Sequence, residues 1–547
     1  MSLFKASLWF AVGTFFSRLF GLLRESVTAG LFGAGVALDA FFVANRIPNM
    51  LREMLAEGAL GSSFTKVFSE VWEKDKKKAR KLFKDTILLF FTVSLAICII
   101  GIILAPYLVN SMTMIGEEGA DNASFLHQTV GLTRLLFPFI GTMIMGAIAG
   151  GVLHQQGRFF ISSLSPIALN VGYLLGALVF ASFLETKNYP WIEYYIANPG
   201  ITGLAIGVLL GGFIQCFVQF LGIKKNSLGL AIWPINIKSL NFSWSPELKK
   251  ILTLMGPMVI ASSAGQINVF INTNFATSLE TGAVTWLTFS FRLLQLPIGI
   301  FAVAVGSVAL PKFTKLISAD NDLCREEAST ELFKMSEFML WLMALCLVFL
   351  MENAEQVISL LFEHGQFSHN DAIKTAEALY YYSFGLIGYG LIKVLTSFYY
   401  ALERTNYAMK VSLVGIFINF SLNYILVDRF GHKGLAITAA ALLSINAIGL
   451  MLGLRSENLK VPARSVAIGI SLVLVAFFLS LGAQRLGAFS LTLIELPVEW
   501  PHKIRAAISL LVNGTLVGLT FAILGILRVG RKPKEALVML KKLKSKR

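Results

Sequence analysis

The stretch LDAFFVANRIPNMLREMLAEGALG, residues 38–61, decides the fold class. It is long and apolar enough to cross a bilayer, which takes about 20 residues. Its polar and charged residues are Asp39, Asn45, Arg46, Asn49, Arg52, Glu53 and Glu57. A charge that faces hydrocarbon costs about 2.5–3.5 kcal/mol, so a membrane helix keeps such residues where they face water or one another. The stretch therefore predicts one wall of a polar cavity inside a membrane protein.

The rest of the chain has the composition of a polytopic membrane protein. Of its 547 residues, 55% are hydrophobic and 14% are charged, and the mean hydropathy is +0.70. A soluble protein of this composition has too little polar surface to cover itself. The net charge is +15, but the Lys and Arg residues lie between and after the apolar runs. Membrane topology explains that pattern better than nucleic-acid binding does.

No pattern in the sequence indicates an enzyme or a metal site. The four Cys are scattered without a Cys-x-x-Cys pair, and no phosphate-binding Gly-x-x-x-x-Gly-Lys-Ser/Thr sequence occurs. No clustered His/Glu, Ser/His or Cys/His set suggests hydrolysis. We expect a protein without catalytic residues, metal or cofactor, and leave open a coupling to the membrane potential or a monovalent ion.

The apolar runs predict an all-α protein with about 14 transmembrane helices. Basic residues concentrate in the loops 66–84, 223–250 and 311–334, whereas the loops 110–127 and 352–371 contain no Lys or Arg. By the positive-inside rule the first three loops and both termini are cytoplasmic.

A weak internal repeat predicts how the helices are grouped. Arg46 and Arg292 are 292 − 46 = 246 positions apart, and Pro48 and Pro297 follow them. Two parallel repeats of six helices would be related by a pseudo-two-fold axis along the membrane normal, with two extra C-terminal helices. The predicted parts are the N-lobe 1–222, the cytoplasmic linker 223–246, the C-lobe 247–455, the helix pair 456–528 and the basic cytoplasmic tail 529–547.

The intramembrane charges predict a site for an anionic head group. On a straight helix Asp39, Arg46, Glu53 and Glu57 fall on one stripe and would neutralise one another. Asp39 would also hold an Arg in position when the site is empty. The arginines that remain without an acidic partner in this interpretation are Arg18, Arg24, Arg52 and Arg292. Arginine suits the task because its planar fork binds phosphate through two hydrogen bonds.

The alternative is that these arginines only fix helix contacts. The predicted substrate-binding residues are Arg18, Arg24, Asp39, Asn49, Arg52 and Arg292, and the further cavity candidates are Arg46, Glu57, Lys393 and Gln295. For Asn268, Asn272 and Asn274 in the seventh span, interhelical hydrogen bonding is favoured over ion coordination.

Three segments resemble the MviN/MurJ family of lipid II flippases, which belongs to the multidrug/oligosaccharidyl-lipid/polysaccharide exporter superfamily. They are FSRLFGLLRES at 16–26, FGAGVALDAFFVANRIPNMLREMLAEGALGSSF at 32–64 and FRLLQLPIGIFAVAVGSVALP at 291–311. The resemblance implies two six-helix lobes around a cationic cavity that works by alternating access in the bacterial cytoplasmic (inner) membrane. The implied substrate is lipid II, the undecaprenyl-pyrophosphate-linked precursor of peptidoglycan.

The resemblance also assigns residues. The functionally important cavity residues of the family match Arg18, Arg24, Asp39, Arg52 and Arg292, and spans 13 and 14 would form a groove for the lipid tail. Many relatives have an acidic residue just before the span 8 Arg and another three positions after it. Here Phe291 and Gln295 occupy those positions, which puts a borrowed ion-pair or proton role in doubt.

Two other functions stay open at this point. An exporter of another lipid-linked oligosaccharide, of O-antigen or teichoic type, has the same charge requirement, and binding of lipids with different sugars would separate it. A membrane scaffold that recruits partners through its tail would lose function on deletion of 534–547. The expected partners are lipid II, membrane lipids and other cell-wall synthesis proteins, with no nucleic acid.

Overall fold

A computed structural model describes residues 3–114, 120–187, 189–196, 198–223, 242–318, 322–454 and 502–529, with isolated residues between 471 and 482. The described part is helical and contains no strand. Its α-helices are α1 Leu3–Phe32, α2 Val36–Leu51, α3 Gly61–Lys74, α4 Lys76–Met112, α5 Ala120–Leu136, α6 Phe139–Gln155, α7 Phe159–Leu175, α8 Ala181–Lys187, α9 Pro190–Tyr195, α10 Pro199–Gly222, α11 Pro246–Thr277, α12 Ala283–Pro297, α13 Val303–Ile317, α14 Asp322–Glu352, α15 Ala354–Phe362, α16 His369–Ser383, α17 Gly385–Ala401, α18 Thr405–Phe430, α19 His432–Gly453 and α20 His502–Val529. Three π-helical segments are π1 Arg52–Leu60, π2 Gly176–Phe180 and π3 Ile298–Ala302.

Within the described residues, nine helices are long and apolar enough to cross a membrane, or up to eleven if each of two bent pairs is one span. The bent pairs are Pro246–Ile260 with Ser262–Thr277, at 41°, and His369–Ser383 with Gly385–Ala401, at 42°. The predicted linker and most of 456–528 and 529–547 lie outside the described residues. The count of about 14 spans therefore stays a prediction.

The lipid-facing side of α4 is visible in its exposed residues. Phe91, Leu95, Ile99, Ile103 and Tyr107 recur at every fourth position, and each is more than half exposed. Residues four apart lie on one face of an α-helix. An apolar face of this length belongs against acyl chains rather than water. At its start α4 is capped by Asp75, and the backbone N–H groups of Lys78 and Lys77, which donate to it, lower the pKa of its carboxyl.

By packing, the described chain forms two compact units. The first consists of Met1–Phe289, Phe362–Asp371 and Ile416–Leu435, and the second of Ser290–Leu361, Ala372–Gly415 and Ala436–Arg547. Fully buried aromatic residues of the first unit include Phe41, Phe64 and Phe289, and those of the second include Phe313 and Tyr399. The units follow packing and do not test the lobe boundaries predicted from the repeat.

Glycines join α7 and π2 to α10 in the first unit. A Cβ atom on Gly172 would overlap the backbone of Gly211, and one on Gly207 would overlap the backbone of Gly176. Small residues let helix backbones approach closely in membranes, where lipid offers no hydrophobic drive for helix association. This contact, which we call the glycine seam, is therefore made by backbone against backbone.

The π-helical segments lie at matching places in the repeat. π1 begins at Arg52 and π3 at Ile298, and 298 − 52 = 246 is the offset already found between Arg46 and Arg292. Pro48 precedes π1 and Pro297 precedes π3. Proline lacks the N–H that an α-helix needs, and π-helical turns interrupt α-helices mostly at functional sites. The proline of the second span is thus followed by a wide turn, and the same arrangement recurs in the eighth span.

Candidate functional site

Arg24 of α1 lies against α7 and is half-buried. Its Nη1 atom donates to Oδ1 of Asn170 at 3.0 Å, its Nη2 atom pairs with the buried carboxylate of Glu25, and its guanidinium carbon lies 4.4 Å from the centre of the Tyr173 ring. Asn170 in turn donates to the backbone oxygen of Ser17 at 3.1 Å. The expectation that Arg24 has no acidic partner was wrong, because Glu25 is its immediate neighbour in the chain.

Arg18 lies on the same helix, six positions before Arg24, and its side chain is half-buried. Six residues on an α-helix correspond to nearly two turns without returning to the same face. Arg18 and Arg24 thus leave α1 in different directions.

The second group forms where α2 passes into π1. Nε of Arg52 donates to Oδ1 of Asn49 at 2.9 Å, and Nδ2 of Asn49 donates to Oε1 of Glu53 at 3.0 Å. Nη2 of Arg52 forms an ion pair with the same Oε1 atom at 3.5 Å, so the expectation that Arg52 has no acidic partner was also wrong. Gln266 of α11 donates to Oε2 of Glu53 at 2.8 Å. Four side chains from three elements, α2, π1 and α11, thus form one hydrogen-bonded chain.

Glu53, one member of the expected stripe of Asp39, Arg46, Glu53 and Glu57, bonds with Asn49 one helical turn before it and with Gln266 of α11. The stripe as a whole stays a prediction. Arg46 is half-buried, and the side chain of Glu57 lies outside the described ones.

Asp39, in the first turn of α2, accepts three hydrogen bonds from the start of α12. They come from the backbone N–H of Gly282 at 2.6 Å, the backbone N–H of Thr285 at 2.8 Å and the hydroxyl of Thr285 at 2.6 Å. The carboxylate therefore caps a helix of a distant part of the chain, where the positive end of the helix dipole favours a negative charge. The expectation that Asp39 holds an Arg is not what this arrangement shows, since both of its oxygens bond to α12.

The C-terminal end of α1 is held by the segment 363–368. Gln366 donates its backbone N–H to the carbonyl oxygen of Gly30 at 2.8 Å, and Oγ of Ser26 lies 3.0 Å from Nε2 of His364. Gly365 adopts φ +62° directly against the Gly30 backbone, where a side chain would both strain the turn and overlap the helix. These contacts lie on the same side of the first unit as the capped start of α12, whose Trp286 donates to Asp371 at 3.0 Å.

The remaining predicted residues belong to the second unit. Arg292 is exposed on α12 and Gln295, one turn further along, is half-buried. Lys393 of α17 is half-buried, and its Nζ atom lies 5.6 Å from the centre of the Tyr389 ring. The structure thus brings Asn49 and Arg52 into direct contact and places Arg24 and Asp39 in separate hydrogen-bonded groups. Arg292, Gln295 and Lys393 lie in the second unit.

Sequence reasoning missed the partners of these residues. Asn170, Tyr173, Gln266 and Thr285 were not predicted as site residues, although a polar side chain in an apolar span is itself a signal. The prediction for the asparagines was confirmed at Asn272, whose Oδ1 atom accepts from Asn419 at 3.1 Å and from Asn423 at 2.8 Å across to α18. It was also confirmed at Asn274, which donates to the Ser111 carbonyl at 3.0 Å.

Comparison with known proteins gives concordant matches. A family model described as "Lipid II flippase MurJ" matches residues 28–498. The "Lipid II flippase MurJ" of Burkholderia cenocepacia is 31% identical over 465 residues, which are 85% of this chain and 86% of that protein. The "Probable lipid II flippase MurJ" of Buchnera aphidicola subsp. Schizaphis graminum is 30% identical over 449 residues, which are 82% of each chain.

Solved structures agree on the fold. The chain matches one described as "Lipid II flippase MurJ, inward closed conformation" with a TM-score of 0.72 and 24% identity, over 95% of this chain and 99% of that one. An inward-facing multidrug resistance MATE family transporter matches with a TM-score of 0.63 and 17% identity, over 82% of this chain and 99% of that one. These likenesses confirm the predicted all-α polytopic fold of two lobes.

Proposed function

The chain belongs to the MurJ family of lipid II flippases, and we propose that it moves lipid II from the inner to the outer leaflet by alternating access. The pyrophosphate of the lipid binds to arginines within the membrane, while the prenyl chain stays among acyl chains and avoids the cost of entering water. The protein is an integral bacterial membrane protein that supplies precursor for the peptidoglycan cell wall.

The observation that carries the proposal is how Arg24 and Arg52 are held. Each lies in a helix that the sequence predicts to cross the membrane, and each donates to the oxygen of an asparagine, at 3.0 Å and 2.9 Å. Each guanidinium is also next to a carboxylate, that of Glu25 for Arg24 and that of Glu53 for Arg52. In the proposal the pyrophosphate competes with these carboxylates for the planar fork of the arginine, which the asparagine oxygen orients. The proposed substrate-binding residues are Arg18, Arg24, Asn49, Arg52 and Arg292.

Asp39 has a different part in the proposal. Its three hydrogen bonds with the start of α12 hold together two predicted spans that carry Arg52 and Arg292. Arg46, Glu57, Gln295 and Lys393 line the route of the head group. Span 13, which lies mostly outside the described residues, and span 14, which falls within α20, take the prenyl tail, as the family resemblance implies.

The proposed location is the cytoplasmic membrane with both termini inside, supported by the basic loops 66–84, 223–250 and 311–334. Several positive charges in the transport path make the membrane potential a suitable driving force, since it acts with about 2.3 kcal/mol per charge per 100 mV. Other cell-wall synthesis proteins are the proposed partners beyond the lipid itself.

Complementation tests the function. Cells depleted of their own lipid II flippase are supplied with this chain, and growth and the lipid II exposed on the outer leaflet are measured. We expect rescue by the native chain and loss of both readouts with Arg18→Ala and Arg292→Ala at normal expression. Arg429→Ala, an exposed arginine at the end of α18, is the matched control and should rescue.

Growth and normal exposure of lipid II with both cavity variants would refute the arginine site. Binding measurements with purified protein and prenyl-pyrophosphate lipids that carry different sugars decide between lipid II and another lipid-linked oligosaccharide. Preference for an O-antigen or teichoic precursor over lipid II would contradict the proposed substrate.

A further inference from the structure

Tyr173 of α7 contacts residues of two other helices. The guanidinium carbon of Arg24, in α1, lies over its ring, 4.4 Å from the ring centre. From α2, the ring of Phe41 packs edge to face against it, with ring centres 6.2 Å apart and planes at 88°. Nδ2 of Asn45, also in α2, donates to the Tyr173 hydroxyl at 3.2 Å. Tyr173 therefore connects the second predicted span to an arginine of the first.

The two contacts from α2 hold different parts of the tyrosine. Phe41 and Asn45 are four positions apart, so they lie one above the other on one face of the helix. Oδ1 of Asn45 is buried and accepts no hydrogen bond within the described part of the chain. A buried acceptor without a donor lowers stability, so packing alone would favour an apolar side chain at position 45. The bond to Tyr173 gives this asparagine a role other than packing.

Arg24 is held from three sides. Its Nη1 atom donates to Asn170 at 3.0 Å, its Nη2 atom pairs with Glu25, and the ring of Tyr173 lies against the guanidinium. Asn170 and Tyr173 are three positions apart on α7 and share a face of that helix. Three contacts in different directions fix both the position and the tilt of a planar group. Two of the three come from α7.

The ring contact differs in kind from the other two. An aromatic ring attracts a cation through its π-electrons and takes up no N–H group in a hydrogen bond with an oxygen atom. A carboxylate at the same place would take one and would compete directly with a phosphate. In the proposed function the pyrophosphate competes with Glu25 for the guanidinium, and Tyr173 stays outside that competition. It therefore holds Arg24 in the same way with either anion.

We propose that Tyr173 is a positioning residue for Arg24 in head-group binding, and that Phe41 and Asn45 position its ring. The inference rests on the proposed function, in which Arg24 binds the pyrophosphate. The ion pair with Glu25 is part of the arrangement, since Glu25 balances the charge of Arg24 before phosphate oxygens replace its carboxylate. The role requires only the contacts that exist within the first unit.

The test uses the full-length protein in nanodiscs, with undecaprenyl pyrophosphate as the probe and undecaprenol as the probe without charge. Tyr173→Leu removes the ring. We expect it to raise the Kd for undecaprenyl pyrophosphate about tenfold, equivalent to about 1.4 kcal/mol, and to leave the Kd for undecaprenol unchanged. Tyr107→Leu, the same change at a tyrosine that is 75% exposed on the lipid-facing side of α4, should match the native protein with both probes.

A double variant separates positioning from stability. Tyr173→Phe keeps the ring but loses the hydroxyl, and Asn45→Leu removes its donor. Removal of both partners of a buried hydrogen bond together can be nearly neutral for stability. We therefore expect the double variant to melt near the native temperature and to bind undecaprenyl pyrophosphate about threefold more weakly. A native Kd would refute the role of Asn45, and an equal rise for undecaprenol in this variant or in Tyr173→Leu would assign Tyr173 a structural role and overturn the inference.

Arg24→Ala separates the inference from the proposed function. With Arg24→Ala already present, we expect Tyr173→Leu to have no further effect, and a further rise in Kd would contradict action through Arg24. Unchanged pyrophosphate binding in Arg24→Ala refutes the place of Arg24 in the proposed site. Weakened binding in that variant with an inert Tyr173→Leu refutes the positioning role alone. Should Tyr173→Leu not fold, Tyr173→Phe in the native and Arg24→Ala backgrounds gives the same comparison.

Discussion

At the scale of single residues, the charged groups of the first unit are each held by specific donors and acceptors. Asp39 caps α12. Arg24 bonds to Asn170 and Glu25, and Arg52 donates a hydrogen bond to Asn49. Burying an ionised side chain is costly unless hydrogen bonds replace its hydration. The hydrogen bonds therefore stabilise these charged side chains within apolar spans. Those of Arg24 and Arg52 also orient a guanidinium, a group that binds anions.

Replacement of Asp39 should separate its structural role from substrate binding. Asp39→Ala leaves the N–H groups of Gly282 and Thr285 without their acceptor. We expect the free energy of unfolding to fall by about 2–4 kcal/mol, since each buried donor left unsatisfied costs about 1–3 kcal/mol. Asp39→Asn keeps one accepting oxygen and should fall by less. Thermal unfolding of the purified protein measures this order.

A melting temperature of Asp39→Ala equal to that of the native protein would contradict the capping role. The Kd of the variant for undecaprenyl pyrophosphate provides the second reading. Since Asp39 bonds to α12, we expect the loss of stability to exceed the loss of head-group affinity.

At the scale of elements, straight helices alternate with wide turns. α4 is a continuous lipid-facing helix, whereas the second and eighth spans each contain a proline followed by a π-helical segment at the same repeat position. A π-helical turn shifts the register of the side chains that follow it. The two spans that carry the candidate arginines of the repeat thus both have an interrupted register, as does the helix that continues from α7 through π2.

Two glycine-to-alanine substitutions, one in the glycine seam and one outside it, should change the stability of the protein in opposite directions. Gly207→Ala places a Cβ atom against the backbone of Gly176, so we expect a lower melting temperature and less folded protein. Gly518 in α20 has no neighbouring heavy atom within 4 Å of a Cβ position. Gly518→Ala should therefore stabilise by about 0.4–1 kcal/mol, because alanine restricts the unfolded chain.

Thermal unfolding of both glycine variants in the same detergent measures the difference. Equal melting temperatures, or a higher one for Gly207→Ala, would show that a Cβ atom fits between α10 and π2. The glycine seam would then not be a direct contact of backbones.

At the scale of the whole molecule, the distribution of charge sets the orientation. The loops 110–127 and 352–371 contain no Lys or Arg, whereas the loops on the other predicted side are rich in them. Since positively charged loops tend to stay in the cytoplasm, we expect the segment 363–368 against α1 and the capped start of α12 to lie on the outer side. The basic start of α4 belongs to the inner side.

Cysteine labelling of intact cells tests this orientation. In a chain without its four native Cys, Asn370→Cys and Lys77→Cys place single thiols at two exposed positions. We expect a membrane-impermeant maleimide to label position 370 in intact cells and position 77 only after permeabilisation. Labelling of position 77 in intact cells would invert the topology.

How far the sequence reached depended on distance along the chain. Composition and long apolar runs were sufficient to predict the helical class. The acidic partner of Arg24 could also have been predicted, since Glu25 follows it directly in the sequence. The partners of Asp39 are 243 and 246 positions away, and a single sequence contains no signal that joins them. The contact of Glu53 with Asn49 spans one helical turn and follows from a straight helix, whereas its contact with Gln266 joins residues 213 positions apart.

The glycine seam has a mechanical consequence. Contacts made by side chains can yield by rotamer changes, but α7 and α10 meet through their backbones, where no rotamer is available to absorb a displacement. A shift of one helix therefore carries the other with it. We therefore expect α7 and α10 to move as one rigid body during a transport cycle. The conformational change would then occur in other parts of the chain, such as the wide turns π1 and π3.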